Sequence, residues 1–108
     1  MMLKTQGFKI IGKAGNGSEA INIFKSLPNK PDIVLMDHRM PIKNGIDTTL
    51  ELTRLNSHTK IIFISADNSV KKQALSIGAK SFIEKPFSID QLNNVIKKVI
   101  ENSKVVNN

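Results

Sequence analysis

Ile33–Gly45, IVLMDHRMPIKNG, runs from four apolar residues, Ile33 to Met36, straight into a lone acid, Asp37, and then meets two stops, Pro41 and Gly45. An unbroken apolar run that contains β-branched residues and is bounded by turn signals reads as a strand covered on both faces, as in a parallel sheet. Asp37 then stands at the C-terminal end of that strand. In open α/β sheets ligands bind outside that end, so a carboxylate there has a functional reading that a surface Asp lacks. The competing reading of Asp37 is a turn residue or a helix cap.

On the N-terminal side, Phe8–Ala14 (FKIIGKA) reads as another strand, with Met1–Thr5 before it as the end of a helix. Gly15–Ser18 is a turn, and Ser18 is a candidate N-cap for a helix over 18–27 in which Ala20, Ile21, Phe24 and Leu27 share one face. Pro28 and Pro31 end it. On the C-terminal side, a helix from Gly45 to about Asn56 carries Ile46, Leu50, Leu52 and Leu55. Lys60–Ser65 (KIIFIS) is a second apolar run ending in a small polar residue. Asp67, Asn68 and Ser69 can cap a helix bearing Val70, Ala74 and Ile77, which Gly78 terminates. Lys80–Glu84 is a further strand, ending at Lys85–Pro86. Ser88 and Gln91 then form a capping box, with Phe87 and Leu92 as the hydrophobic staple around it. Leu92, Val95, Ile96, Val99 and Ile100 give the last helix one apolar stripe, and the final NSKVVNN reads as frayed. Four strands alternating with four helices imply right-handed crossovers and a parallel sheet with helices on both faces, an α/β doubly wound fold. The expectation is one domain over 1–108, with the few residues after the last helix read as leaving no room for an effector domain.

Composition narrows the classes. The chain has 108 residues, 40% of them hydrophobic and 23% charged, as in an ordinary globular domain. It has no cysteine, so neither disulfides nor a thiolate metal site can form. No apolar run approaches the ~20 residues that cross a bilayer, and MMLKTQGFK lacks the apolar core of a signal peptide. The expected location is therefore cytoplasmic. A net charge of +7 invites a nucleic-acid reading, but the lysines are spread along the chain, and there is no Trp or Tyr to stack on bases. Most of the lysines read as solvated faces, and nucleic acid is not an expected partner. His38 and His58 have no acid or Cys spacing of a metal site, and Gly15–Asn16–Gly17 lacks the residues of a phosphate loop.

Three strands end in Asp37, Ser65 and Lys85, and in a parallel sheet those ends share one edge. A carboxylate that can be a nucleophile, an ammonium that can hold developing negative charge and a hydroxyl that can bond the product make a coherent phosphoryl-acceptor site. From about residue 8 to residue 101 the sequence resembles the receiver domain of two-component response regulators, whose fold is flavodoxin-like. Asp37 with Met40–Pro41 and Gly45 is similar to the family's phosphoacceptor strand and loop. Ser65–Ala66 matches its hydroxyl switch, Phe82 its aromatic switch, and Lys85–Pro86–Phe87 its lysine and cis proline. The resemblance implies that Asp37 receives a phosphoryl group from a sensor histidine kinase or phosphotransfer protein, with Mg²⁺ assisting. Asp37 and the backbone carbonyl of Arg39 would then be metal ligands, and the output would be surface contact with a downstream protein rather than enzymatic turnover.

The sequence departs from the family at its start. Family members begin with a strand that ends in two acids and a full first helix, whereas this chain starts at what would be the tail of that helix. The fold expected is thus an N-terminally truncated one, and Mg²⁺, which is held by carboxylates and waters, is expected to bind weakly. The missing strand lies, in the family, between those corresponding to Phe8–Ala14 and Ile33–Asp37. The expectation is either direct pairing of those two strands or a homodimer that completes the sheet. Two other readings compete with a phosphorylated receiver. One is a receiver-derived module that binds partners without phosphorylation, and the other is a reading frame that begins upstream of Met1.

Overall fold

A computed structural model of the chain describes residues 15–38, 44–56 and 58–106, with side chains as far as Glu101. Its elements are α1 (Gly17–Ser26), β1 (Ile33–Asp37), α2 (Gly45–Leu55), β2 (Lys60–Ser65), α3 (Lys71–Ser76), β3 (Ser81–Glu84) and α4 (Ile89–Val106). The three described strands form one parallel sheet in the order β1-β2-β3. The expected strand Phe8–Ala14 lies outside the described residues, and so do the pairing and dimer expectations that turn on it.

Alternation along the strands divides the core into two layers. Met36, Ile61 and Phe63 meet Ile21 and Phe24 of α1, Ile46 and Leu52 of α2, and Ala74 of α3. Ile62, Ile64 and Ile83 face the other way, onto Leu92, Ile96 and Val99 of α4. The period of two in the strands and the stripe in each helix thus place three helices on one face and one on the other. β1 is covered on both faces as expected, but Ile33 and Leu35, on the α4 side, are only half-buried.

Several local expectations are corrected. The N-cap of α1 is Asn16 rather than Ser18: its side chain accepts from the Glu19 N–H at 2.8 Å, and Asn is at least as good a cap as Ser. The helix after Asp67 is split, a 3-10 turn at Asn68–Val70 preceding α3, with the Asp67 carboxylate accepting from Ser69 N–H at 2.9 Å. Leu55 is 45% exposed, while Thr48 and Thr49 are fully buried in its stead, because the stripe facing the sheet runs through 45–46, 48–49 and 52. α4 continues to Val106, so NSKVVNN is helical through that residue rather than frayed. At its start the Ser88 Oγ accepts from the Gln91 N–H at 3.0 Å, the N-cap half of the expected capping box, and Phe87 and Leu92 lie in one cluster.

Thr48 and Thr49 differ in one respect that has a measurable consequence. The Thr48 hydroxyl donates to the Asn44 carbonyl at 2.7 Å, whereas the Thr49 hydroxyl is buried with no hydrogen-bond partner among the described residues. An orphaned buried hydroxyl costs ~1–3 kcal/mol, and Val offers nearly the same shape with a similar helix propensity. Thr49→Val is therefore expected to stabilise the fold by about 1 kcal/mol, read as a higher urea midpoint at unchanged slope. A lowered midpoint would contradict this account of the site.

Candidate functional site

Parallel pairing brings the C-terminal ends of the three strands to one edge, with Asp37 in register with Ile64, and Ser65 in register with Glu84. Asp37 is thus offset by one residue from Ser65, and Lys85 stands one residue beyond β3. Across this edge the Lys85 Nζ donates to Asp37 Oδ2 at 2.7 Å, a charge-assisted bond of ordinary strong geometry. The Lys85 and Asp37 side chains are 35% and 37% exposed, so the pair is open to an incoming ligand and contributes little to stability.

Ser65 is buried, and its hydroxyl accepts from the Asp67 N–H at 3.0 Å, which turns the chain out of β2. Its carbonyl accepts from the Lys85 N–H at 3.0 Å, tying the hydroxyl-bearing strand end to the backbone of the lysine. The Lys85–Pro86 bond is cis. Asp37, Ser65 and Lys85 are therefore brought to one edge, as their strand-end positions require. Arg39, Met40 and Pro41 lie outside the described residues, and the expected carbonyl ligand at Arg39 lies there too.

Two features of the site carried no signal in the residue pattern alone. Gly45, the first residue of α2, packs directly on the acceptor backbone: a Cβ there would lie 2.6 Å from the Asp37 carbonyl oxygen and 2.8 Å from His38 Cα. Its N–H donates to the His38 carbonyl at 3.1 Å, so the helix start and the strand end are locked together. The second feature is a ladder of rings. Phe63 stacks on Phe82 with centroids 6.0 Å apart and planes 13° apart, and the His38 ring lies against Phe63 itself at 5.8 Å, tilted by 39°. Register explains it, because Met36 pairs with Phe63 and Phe63 with Phe82. Phe82 is half-buried at the edge of the three-helix layer.

A metal at this edge must be judged by its donors. All nine Asp and Glu residues and both His residues of the chain fall among the described residues. Among them no group of three or more His, Cys, Asp or Glu could hold a metal ion. Mg²⁺ takes near-octahedral oxygen coordination, usually with carboxylates supplying the charge. Among the described residues Asp37 brings one carboxylate to this edge, engaged by an ammonium, and these residues by themselves fall short of an ordinary Mg²⁺ site.

A family model described as the response regulator receiver domain matches residues 1–97. The chain is 41% identical over 105 residues to the chemotaxis protein CheY of Thermotoga maritima, covering 92% of this chain and 86% of that protein. It is 35% identical to CheY of Bacillus subtilis, covering 92% and 82%. Among solved structures it resembles a CheX–CheY–BeF3–Mg²⁺ complex from Borrelia burgdorferi, with a TM-score of 0.81 at 32% identity, over 87% of this chain and 72% of that one.

Proposed function

The chain belongs to the response regulator receiver domain family, and on that premise we propose that it is a phosphoacceptor receiver, taking a phosphoryl group on Asp37 and passing the signal on by surface contact. The observation that carries the proposal is the 2.7 Å contact between Lys85 Nζ and Asp37 Oδ2 at the sheet edge where β2 ends in Ser65. The Asp37 carboxylate attacks phosphorus, the Lys85 ammonium offsets the charge gathering on the phosphoryl oxygens, and the leaving group departs with its electron pair. The Ser65 hydroxyl, now accepting from Asp67 N–H, keeps a proton to donate to the new phosphoryl group. Phe82, stacked on Phe63 of the neighbouring strand, is the side chain through which that movement reaches the surface.

The phosphoryl donor is a sensor histidine kinase or a phosphotransfer protein, and the output is a complex with a downstream protein, as membership of this family supports. No described helix is long and apolar enough to cross a membrane, which agrees with a cytoplasmic location. A second reading, an interaction module that binds partners without being phosphorylated, is favoured by the absence of a metal-binding carboxylate cluster among the described residues. Incubation with acetyl phosphate followed by intact mass measurement separates the two. The proposal expects one phosphoryl group per folded chain; a folded chain that takes none supports the module instead.

A further inference from the structure

We infer that the N-terminal edge of the sheet, at the end of the molecule away from the acceptor site, is a docking surface for an acidic, leucine-bearing segment of a partner protein. The inference stands on residues that the phosphoryl chemistry does not use, and it holds whether or not Asp37 is phosphorylated.

Hydrogen bonds across the starts of the strands join three loops at this edge. The Thr59 hydroxyl donates to the Pro31 carbonyl at 2.8 Å and the Lys60 N–H to the Asp32 carbonyl at 2.9 Å, which ties the loop after α2 to the loop after α1. The Lys80 N–H donates to the Ile61 carbonyl at 2.8 Å and ties on the loop after α3. These loops, with the last turns of α1 and α2 that feed them, carry Lys25, Lys30, Arg54, Lys60 and Lys80 against a single acid, Asp32. Lys25, Arg54 and Lys80 are exposed, and none of the five bases forms an ion pair among the described residues. Lys30 is held in place, its Nζ donating to the Leu27 carbonyl at 2.9 Å and lying 5.0 Å from the Phe24 ring centroid, so a positive charge is fixed at the end of α1. The opposite edge is mixed in sign, because Glu19, Asp47, Asp67 and Asp90 head its helical segments beside Lys71 and Lys85.

Charge by itself describes a solvated face, and Lys25 and Arg54, in last turns, also answer the helix dipoles. Two further observations point to a protein partner. Lys60 and Lys80 stand at the starts of strands, where no helix dipole calls for them. The bases also flank apolar surface. Phe24 of α1 and Leu52 of α2 share one core cluster, and one turn further along each chain Leu27 is half-buried and Leu55 is 45% exposed. Arg54 adjoins Leu55, and Lys25 stands two residues before Leu27. A basic rim beside exposed leucine fits a segment whose carboxylates meet Lys25, Arg54 and Lys80 while an apolar side chain covers Leu55. A nucleic acid would match the charge and leave Leu55 uncovered. A neutral apolar peptide would cover Leu55 and strip water from the bases without pairing them.

The test titrates a fluorescein-labelled amphipathic helical peptide of Glu, Leu and Ala with the full 108-residue chain and follows anisotropy. Binding is expected to weaken at least about tenfold between about 0.1 M and about 1 M NaCl, as the Debye length falls from ~10 Å to ~3 Å. Arg54→Glu is expected to weaken it at least about fivefold and Leu55→Ser at least about threefold. Lys97→Glu, exposed on α4 and equal to Arg54→Glu in charge change, is expected to stay within about twofold of the wild type. Urea melts establish that each variant is folded, and where Arg54→Glu is not, Lys80→Glu carries the same expectation. Amide shifts caused by the peptide are expected to cluster in 25–32, 54–60 and 77–81. A folded wild type that does not bind at millimolar peptide overturns the inference, as does a Lys97→Glu chain weakened as much as Arg54→Glu. Shifts concentrated on α3, β3 and α4 overturn it as well. So does a short DNA duplex bound more tightly than the peptide, or association of the chain with itself in place of peptide binding.

Discussion

Asp37→Asn is expected to remove phosphoryl labelling by acetyl phosphate altogether while leaving the fold in place. The substitution keeps the size and planarity of the side chain but replaces the anionic nucleophile with an amide, which does not attack phosphorus at a useful rate. Neither Ser65 nor His38, the two described neighbours with a nucleophilic atom, stands ready to replace it. Ser65 is buried with its hydroxyl turned to the Asp67 N–H, and the Nδ1 of His38 is buried under no hydrogen bond among the described residues. The cost in stability is small because the pair with Lys85 is more than a third exposed on the Asp side, and ion pairs of that kind are worth at most ~1 kcal/mol. Intact mass and a urea melt on the same sample check both halves. An Asp37→Asn chain that is folded and fully labelled would remove the basis for the proposed function.

Gly45→Ala is expected to be the most damaging alanine substitution among the described glycines. At most helix positions this substitution gains ~0.5–1 kcal/mol by removing the backbone freedom of glycine. Here the new methyl would stand 2.6 Å from the Asp37 carbonyl oxygen, 2.8 Å from His38 Cα and 3.0 Å from the Asp37 carbonyl carbon. All three are backbone atoms at the end of a strand, so none can swing aside as a side chain does. Either α2 lifts off, pulling Ile46 and Leu52 out of the three-helix layer, or the end of β1 moves and carries Asp37 away from Lys85. Overpacking of this kind costs ~1–3 kcal/mol or more, which outweighs the helix gain and reverses its sign. A misplacement of about 1 Å at the acceptor can cost on the order of 100-fold in rate. Both effects are checked by denaturant unfolding and by labelling rates measured where the variant is folded. Equal stability and an equal rate would show that the contact is relieved at no cost.

How much of this was legible in the sequence depends on which residues carry the information. Asp37, Ser65 and Lys85 were readable because each ends an apolar run, and strict alternation of strand and helix puts such ends on one edge. The two-layer core was readable for the same reason, from Ile21 and Phe24 in α1 to Leu92, Ile96 and Val99 in α4. What escaped were contacts between segments that no local pattern reports. Gly45 looks like any turn glycine until the Asp37 backbone is seen against it. The His38–Phe63–Phe82 ladder depends on the register of three strands, which residue order does not state. Thr48 and Thr49 were passed over as core because they are polar, although they share the buried stripe of α2 with Leu52. Asn16 and Ser18 are both good caps two residues apart, and propensity alone does not choose between them.

The most direct test of the central claim is to locate the phosphoryl group itself. An acyl phosphate is reduced by borohydride, which converts the modified aspartate into homoserine, and peptide sequencing by mass spectrometry then reads its position. The account predicts homoserine at position 37 alone in chain treated with acetyl phosphate. Homoserine at another acid, or a phosphoryl group recovered on His38 or Ser65 with Asp37 untouched, would contradict it.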